Sequence, residues 1–155
     1  MVGLLGDREI YKSYDNAIMK LFFDIEPEDM NRAGEASSQI KKKLKLLGIN
    51  QSIIRNISIA TYEAEINVVI HSKGGQIEVL IKDDKIEVFI EDIGPGIEDV
   101  DLAMQKGFST ASKSAREMGF GAGMGLPNMH KCCDEFYLNS KKEQFTKIKM
   151  VFKLF

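Results

Sequence analysis

The sequence predicts a two-layer α/β sandwich, with a mixed, mainly antiparallel sheet and helices on one face. Three observations carry this. Apolar stripes at three- and four-residue spacing fill two consecutive stretches, about 28–47 and 52–71, so two helices follow one another with no strand between them. Segments 76–82 and 85–91 are rich in β-branched residues and separated only by Asp83-Asp84, which makes them a hairpin. The last segment, 146–154, alternates, with Ile148, Met150, Phe152 and Leu154 on one face. Strands joined by short turns pair antiparallel, and helices bunched in the chain cover one side of such a sheet.

Taken in order, residues 1–17 form a loose arm or a short edge strand, and 18–155 form one domain. Ile18 to Ile25, with Leu21, Phe22 and Phe23, reads as a strand that ends before Pro27. The first helix starts near Glu28, buries Ala33, Ala36, Ile40, Leu44 and Leu47, and stops at Gly48. The second starts near Ser52 and buries Ile53, Ile57, Ala60, Ala64 and Val68. Gly74-Gly75 turns the chain into the hairpin. A short helix is expected at about 100–106. Residues 107–124 are small and polar without a steady period and read as a mobile loop. A helix from Leu126 to Cys133, with Pro127 in its first turn, and strands at 136–139 and 146–154 close the chain.

A chain of 155 residues suits one core. The net charge of −2 argues against a nucleic-acid partner, since Lys41, Lys42, Lys43 and Lys45 lie on the solvated face of a helix. Cys132 and Cys133 are the only cysteines, adjacent to each other, so neither a disulfide framework nor zinc spacing is present. The first twelve residues lack the apolar run of a leader, and no stretch is long enough to span a bilayer. A cytoplasmic protein is expected.

Three motifs bear on chemistry. Glu63 and Asn67 are one helical turn apart on one face, offering a proton acceptor and an oxygen ligand for a hard cation such as magnesium; a solvated pair near a helix end has the same letters. Asp92, at a strand end before Gly94, Pro95 and Gly96, can accept from an exocyclic amine while the glycines admit a flat ring; an ordinary turn reads alike. Gly119, Gly121, Gly123 and Gly125 alternate up to the start of a helix, where free N–H groups bind phosphate; the rival is a hinge. Glu65 should face away from Glu63. His71 caps a helix end rather than binding a ligand. His130 with the two cysteines makes a poor tetrahedral site.

The order of these parts resembles, over about residues 18–154, the ATPase superfamily of gyrase B, the sensor histidine kinases and the MutL repair proteins. No segment here matches the histidine kinases' phosphoacceptor helix pair. The stand-alone domain is similar to the bacterial anti-sigma factor and serine/threonine kinase family of partner-switching systems. Gly107-Phe108-Ser109-Thr110, Gly125-Leu126-Pro127 and Asp134-Glu135-Phe136 are similar to its stress-signalling switch kinases. The resemblance implies ATP and Mg2+ as cofactors. It makes Glu63 the general base, Asn67 the magnesium ligand and Asp92 the reader of the adenine amine, with Gly94 and Gly96 beside the ring. Gly121, Gly123 and Gly125 would hold phosphates under a lid at about 98–120, with Ser109, Thr110, Met124 and Leu126 completing the nucleotide site. Thr146 matches the late-strand threonine that helps hold adenine through water, although Phe145 stands where the family has glycine. The lid carries an insertion, Lys113 to Arg116, whose arginine either reaches the γ-phosphate or is solvated. The implied function is a serine/threonine kinase acting on a small anti-sigma-antagonist-like partner. The alternative is a non-catalytic ATP/ADP-binding switch that sequesters a regulator. The partner would be an antagonist, a sigma factor or a regulatory phosphatase, with a homodimer among the family's arrangements and neither nucleic acid nor membrane involved.

Overall fold

The structure, a computed structural model, describes residues 2–4, 10–97, 104 and 125–155. The strands are β1 (Val2–Leu4), β2 (Met19–Ile25), β3 (Gly75–Ile81), β4 (Lys85–Ile93), β5 (Glu135–Lys141) and β6 (Phe145–Lys153); the helices are α1 (Glu35–Leu46), α2 (Gln51–His71) and α3 (Gly125–Cys132). They form one sheet in the order β1-β5-β6-β4-β3-β2. Only β1 with β5 is parallel among the described pairings; the rest are antiparallel.

Register explains the two faces. Ile77, Ile90, Ile148 and Leu138 stand opposite one another across four strands, and all are buried. Side chains directly opposite share a face. That face holds the core, into which α1 sends Ile40 and Leu44, α2 sends Ile57, Ala64 and Val68, and α3 sends Met129. On the other face Glu78 lies opposite Phe89, and the segment before β2 reaches over both. Lys12 pairs with Glu78 at 2.9 Å and sits 5.5 Å from the Phe89 ring centroid. The segment that leads into β2, at the sheet's edge, thus crosses the face opposite the described helices.

The first helix departs from its sequence signal. It begins at Glu35, not near Glu28. Glu28 and Gly34 both have positive φ, +59° and +96°, which no α-helix continues through. Residues between them form turns, and Glu28 donates its N–H to the Val69 carbonyl of α2 at 2.8 Å. The first free N–H groups of α1 are taken by a side chain from α2: Glu65 accepts from Ala36 N at 3.1 Å and Ser37 N at 3.0 Å. At the other end Leu47 is a C-cap and 38% exposed, not part of the buried stripe. The stripe of α2 also shifts: Ile54 is buried and Ile53 only partly, because α1, α3 and the sheet all press on this helix. Asn50 caps it, accepting from Ser52 N at 2.9 Å. The helix expected at 100–106 and the loop at 107–124 lie outside the described residues, apart from Met104, which is partly buried against the core.

The Glu65 cap gives a stability prediction. Glu65 is 2% exposed. Removing its carboxylate strands two buried N–H groups at a helix start, where each unmet group costs about 1–3 kcal/mol. Glu65→Ala should therefore destabilise the fold by about 2–4 kcal/mol in urea unfolding. A change below half a kcal/mol would show that water satisfies those groups equally well.

Candidate functional site

The site is assembled along the C-terminal half of α2. Glu63 and Asn67 are both half-buried and both face α3. Asn128 of α3 donates its Nδ2 to Glu63 Oε1 at 3.2 Å. Gly125, the first residue of α3, presses on Asn67: a Cβ there would lie 2.9 Å from Asn67 Nδ2 and 3.0 Å from its Oδ1. The last glycine of the glycine-rich turn is therefore a close-approach glycine, and the helix it opens begins against the Asn67 amide. Leu126 is buried in the core, so its side chain anchors α3.

The other end of the site is a row across the sheet. Gly75, Asp92, Thr146 and Ser140 stand opposite one another on β3, β4, β6 and β5, continuing the core-facing rows to the sheet's end. A Cβ on Gly75 would lie 3.0 Å from Asp92 Cβ, so glycine is what leaves room beside the carboxylate. Burial is the main force on Asp92. It lifts the carboxyl from 3.8 to about 6, with Glu91 adding to the rise and the Thr146 backbone pulling back. Thr146 is buried, its Oγ1 2.9 Å from Ser140 Oγ.

The turn after Asp92 is tied down on both sides. Lys73 donates to the Ile93 carbonyl at 2.7 Å, Gly94 to the Gln144 carbonyl at 3.2 Å, and Glu143 to the Pro95 carbonyl at 2.6 Å. A Cβ on Gly94 would lie 3.0 Å from Ser72 Cα, and one on Gly96, where φ is +69°, 2.8 Å from the Lys141 carbonyl carbon. The missing Cβ atoms at Gly94 and Gly96 thus let Ser72 and Lys141 pack closely on the turn.

Because Gly94 packs on Ser72, the Asp92 end lies near the C-terminus of α2. At 1.5 Å per residue, Asn67 is about 7 Å and Glu63 about 13 Å further back along the axis. Asp92 beside the end of α2, and Asn67 and Glu63 on it, thus follow one another in that order along the helix. The Asn67 carbonyl oxygen beside a glycine that leaves it room fits a magnesium ion that takes most of its other ligands from phosphate and water. Among the described residues no group of three or more His, Cys, Asp or Glu side chains converges. The thiols are raised by burial, Cys133 to about 12. Burial lowers the pKa of His71, and His130 lies edge-on to Phe136, ring centroids 5.9 Å apart. Ser109, Thr110, Gly121, Gly123 and Met124, with Arg116 and, apart from Met104, the segment expected as a lid, lie outside the described residues. Asn128 and Ser140 are site residues that motif reading missed, because their roles follow from helix packing and strand register. No helix among the described residues is long and apolar enough to cross a membrane.

The family model described as histidine kinase-, DNA gyrase B- and HSP90-like ATPase matches residues 51–154. The chain is 30% identical over 127 residues to the serine/threonine-protein kinase RsbT of Bacillus subtilis, covering 79% of this chain and 87% of that protein. It is 35% identical over 102 residues to the anti-sigma F factor of Caldanaerobacter subterraneus, covering 63% of this chain and 68% of the relative. Among solved structures, the SiaB–SiaC complex of Pseudomonas aeruginosa shares the fold at TM-score 0.56 and 16% identity, over 88% of this chain and 90% of that one. The RsbU and RsbW domains of a Mycobacterium tuberculosis protein share it at TM-score 0.59 and 17% identity, over 88% of this chain, which spans about a third (32%) of that longer chain.

Proposed function

This chain belongs to the histidine kinase-, DNA gyrase B- and HSP90-like ATPase family, and on that premise we propose that it is a protein serine/threonine kinase using ATP and Mg2+ to phosphorylate a small anti-sigma-antagonist-like partner. One observation carries the reading: α3 begins at Gly125 against Asn67 and holds Glu63 one turn later, so the helix that follows the glycine run adjoins the residues read as cation ligand and base. A family ATPase acting as a bare nucleotide sensor has use for Asn67 and Asp92 but none for a held carboxylate. The likeness to a named serine/threonine kinase supports the same reading.

In this mechanism Asp92 accepts a hydrogen bond from the adenine amine. Asn67 would hold magnesium, which would supply charge neutralisation at the phosphates. Gly121, Gly123 and Gly125 offer backbone N–H groups to those phosphates. Glu63 takes the proton from the partner's serine or threonine hydroxyl as its oxygen bonds to the γ-phosphorus and the bond to ADP breaks. Asn128 holds Glu63 in one orientation, and most of the rate comes from placement. The partner meets the chain in a cytoplasmic switching system. Incubation with labelled ATP and candidate antagonists should label serine or threonine on one of them. Binding without labelling would favour the second reading, a switch that sequesters its partner, which the likeness to an anti-sigma F factor supports.

Asp92 makes this pH-dependent. With its carboxyl at about 6, it is a charged acceptor above that pH and protonated below it. ADP affinity should fall as pH drops through about 6. Asp92→Asn should bind ADP about ten- to a hundredfold more weakly at neutral pH, with that pH dependence gone. Stability runs the other way: a carboxyl raised on folding favours the folded state below its ordinary value of 3.8, and that contribution is lost as pH rises through about 6. An ADP affinity flat from pH 5 to 7.5 in the parent would remove Asp92 from nucleotide recognition.

A further inference from the structure

The solvent-exposed ridge of α2 ends beside Glu63. Arg55, Asn56, Ile59 and Tyr62 are exposed, at the spacing of one helical face, whereas no residue from Glu63 to His71 is. Before Glu63 one face of the helix meets solvent; after it the helix runs inside, past Asn67. Ile59 is 37% exposed and Tyr62 40%, and they are the large apolar side chains that α2 leaves exposed. Three positions apart, they are neighbours on the helix surface, and Ile59 stands one turn from Glu63 on the same stripe. Tyr62 is also held in place. A Cβ on Gly34 would lie 3.1 Å from Tyr62 Cε1, so the ring rests on backbone that carries no side chain. An aromatic ring already fixed by its neighbours loses little freedom when a partner covers it. Arg55, one turn before Ile59, has no ion pair among the described residues.

A protein substrate meets a limit that a nucleotide does not. Its hydroxyl must come within hydrogen-bond distance of the base while its bulk stays outside. On α2 the surface that leads to Glu63 from solvent is this ridge. We propose that Ile59, Tyr62 and Arg55 form the docking surface for the protein that carries the serine or threonine to be phosphorylated. The inference rests on the reading of Glu63 as the base and adds what the partner must present. Ile59 lies about 6 Å and Arg55 about 12 Å from Glu63 along the axis. The partner that fits has an apolar side chain next to its hydroxyl and a carboxylate further along, in the order set by one helical stripe. The apolar pair excludes water at the centre of the contact, and Arg55 at its rim steers an acidic partner.

The test uses the antagonist that the parent labels. Its affinity for the full chain is read by calorimetry, and transfer from ATP by initial rates. Tyr62→Ala and Ile59→Ala should each weaken the antagonist about tenfold or more and raise its KM alike. Their kcat at saturating antagonist and their ATP affinity should match the parent. Tyr62→Phe, which keeps the ring on Gly34, should bind as the parent does. Arg55→Ala should flatten the salt dependence of antagonist binding. Leu46→Ala, at a side chain 81% exposed on the end of α1, should change nothing. Unchanged antagonist affinity in both Tyr62→Ala and Ile59→Ala would place docking elsewhere and overturn the proposal while leaving the base intact. A fall in kcat with antagonist affinity unchanged would make the ridge part of the transfer step, and equal weakening by Leu46→Ala would make the contact unspecific; either overturns the proposal. Transfer to none of the antagonists, or full transfer by Glu63→Gln, would sink the base reading and this inference with it.

Discussion

Glu63→Gln is expected to bind ATP within a few-fold of the parent and to lose phosphoryl transfer by about a hundred- to ten-thousandfold. The amide keeps the size of the side chain and can still bond Asn128, whose Oδ1 and Nδ2 can exchange places. It cannot take a proton. Glu63 lies one turn beyond Asn67 from the Asp92 end, so nothing that holds base or sugar is removed. The other carboxylate on this stretch of α2 cannot substitute for it. Glu65 is buried on the opposite side of the helix, with its oxygens engaged by Ala36 N and Ser37 N at the start of α1. The two glutamates thus separate experimentally: Glu65→Gln should lower the unfolding midpoint, and Glu63→Gln should leave it nearly alone. The check is single-turnover transfer from labelled ATP to a partner that the parent phosphorylates, beside calorimetric ATP binding. Full transfer by Glu63→Gln would place the proton acceptor elsewhere. Loss of ATP binding in step with transfer would make Glu63 a binding residue.

The same pair of glutamates shows what a sequence can disclose. That Glu63 and Asn67 share a face is arithmetic on a helix, and so is the divergence of Glu65. What Glu65 does is not arithmetic, because its partners lie 28 and 29 positions away in the chain. For that reason the start of α1 was illegible. The apolar spacing runs on back to Ala33, yet the helix begins where a distant carboxylate can cap it and where Gly34 supplies a positive φ. Strands were easier, since alternation and a two-residue turn are local facts, and β3, β4 and β6 fall within two residues of their expected bounds. The pairing of β1 with β5 had no local signal, being three residues long and set by a strand more than 130 positions on. Asp92 stood out by its place between a strand and a Gly-Pro-Gly turn. Ser140 and Gly75 did not, because only register sets them in a row with it.

Asn67→Ala is expected to weaken magnesium-ATP by about a hundredfold, the order of one lost ligand to a charged group, while adenosine binding changes little. The contrast follows from position: Asn67 is about 7 Å along α2 from the residue on which the Asp92 turn packs, so the base end does not depend on it. Gly125 offers an independent way to reach the same state. A methyl group there would sit 2.9 to 3.3 Å from the Asn67 amide and carboxamide carbon. The yielding partner would be the end of a side chain, not backbone, so Gly125→Ala should swing the Asn67 amide aside and leave α3 in place. Gly125→Ala should therefore copy Asn67→Ala, with magnesium-ATP weakened about ten- to a hundredfold and adenosine spared. Combining the two should cost no more than Asn67→Ala alone, because an alanine at position 67 removes the atoms that the new methyl would strike. Two contacting residues that act through one ligand are not additive. Calorimetry with ATP, with and without magnesium, and with adenosine settles each arm. If the double variant loses the sum of the two single effects, Gly125 acts on phosphate through its own backbone and not through Asn67. If adenosine weakens as much as magnesium-ATP in Asn67→Ala, Asn67 is a packing residue between α2 and α3, and the cation has its ligand elsewhere.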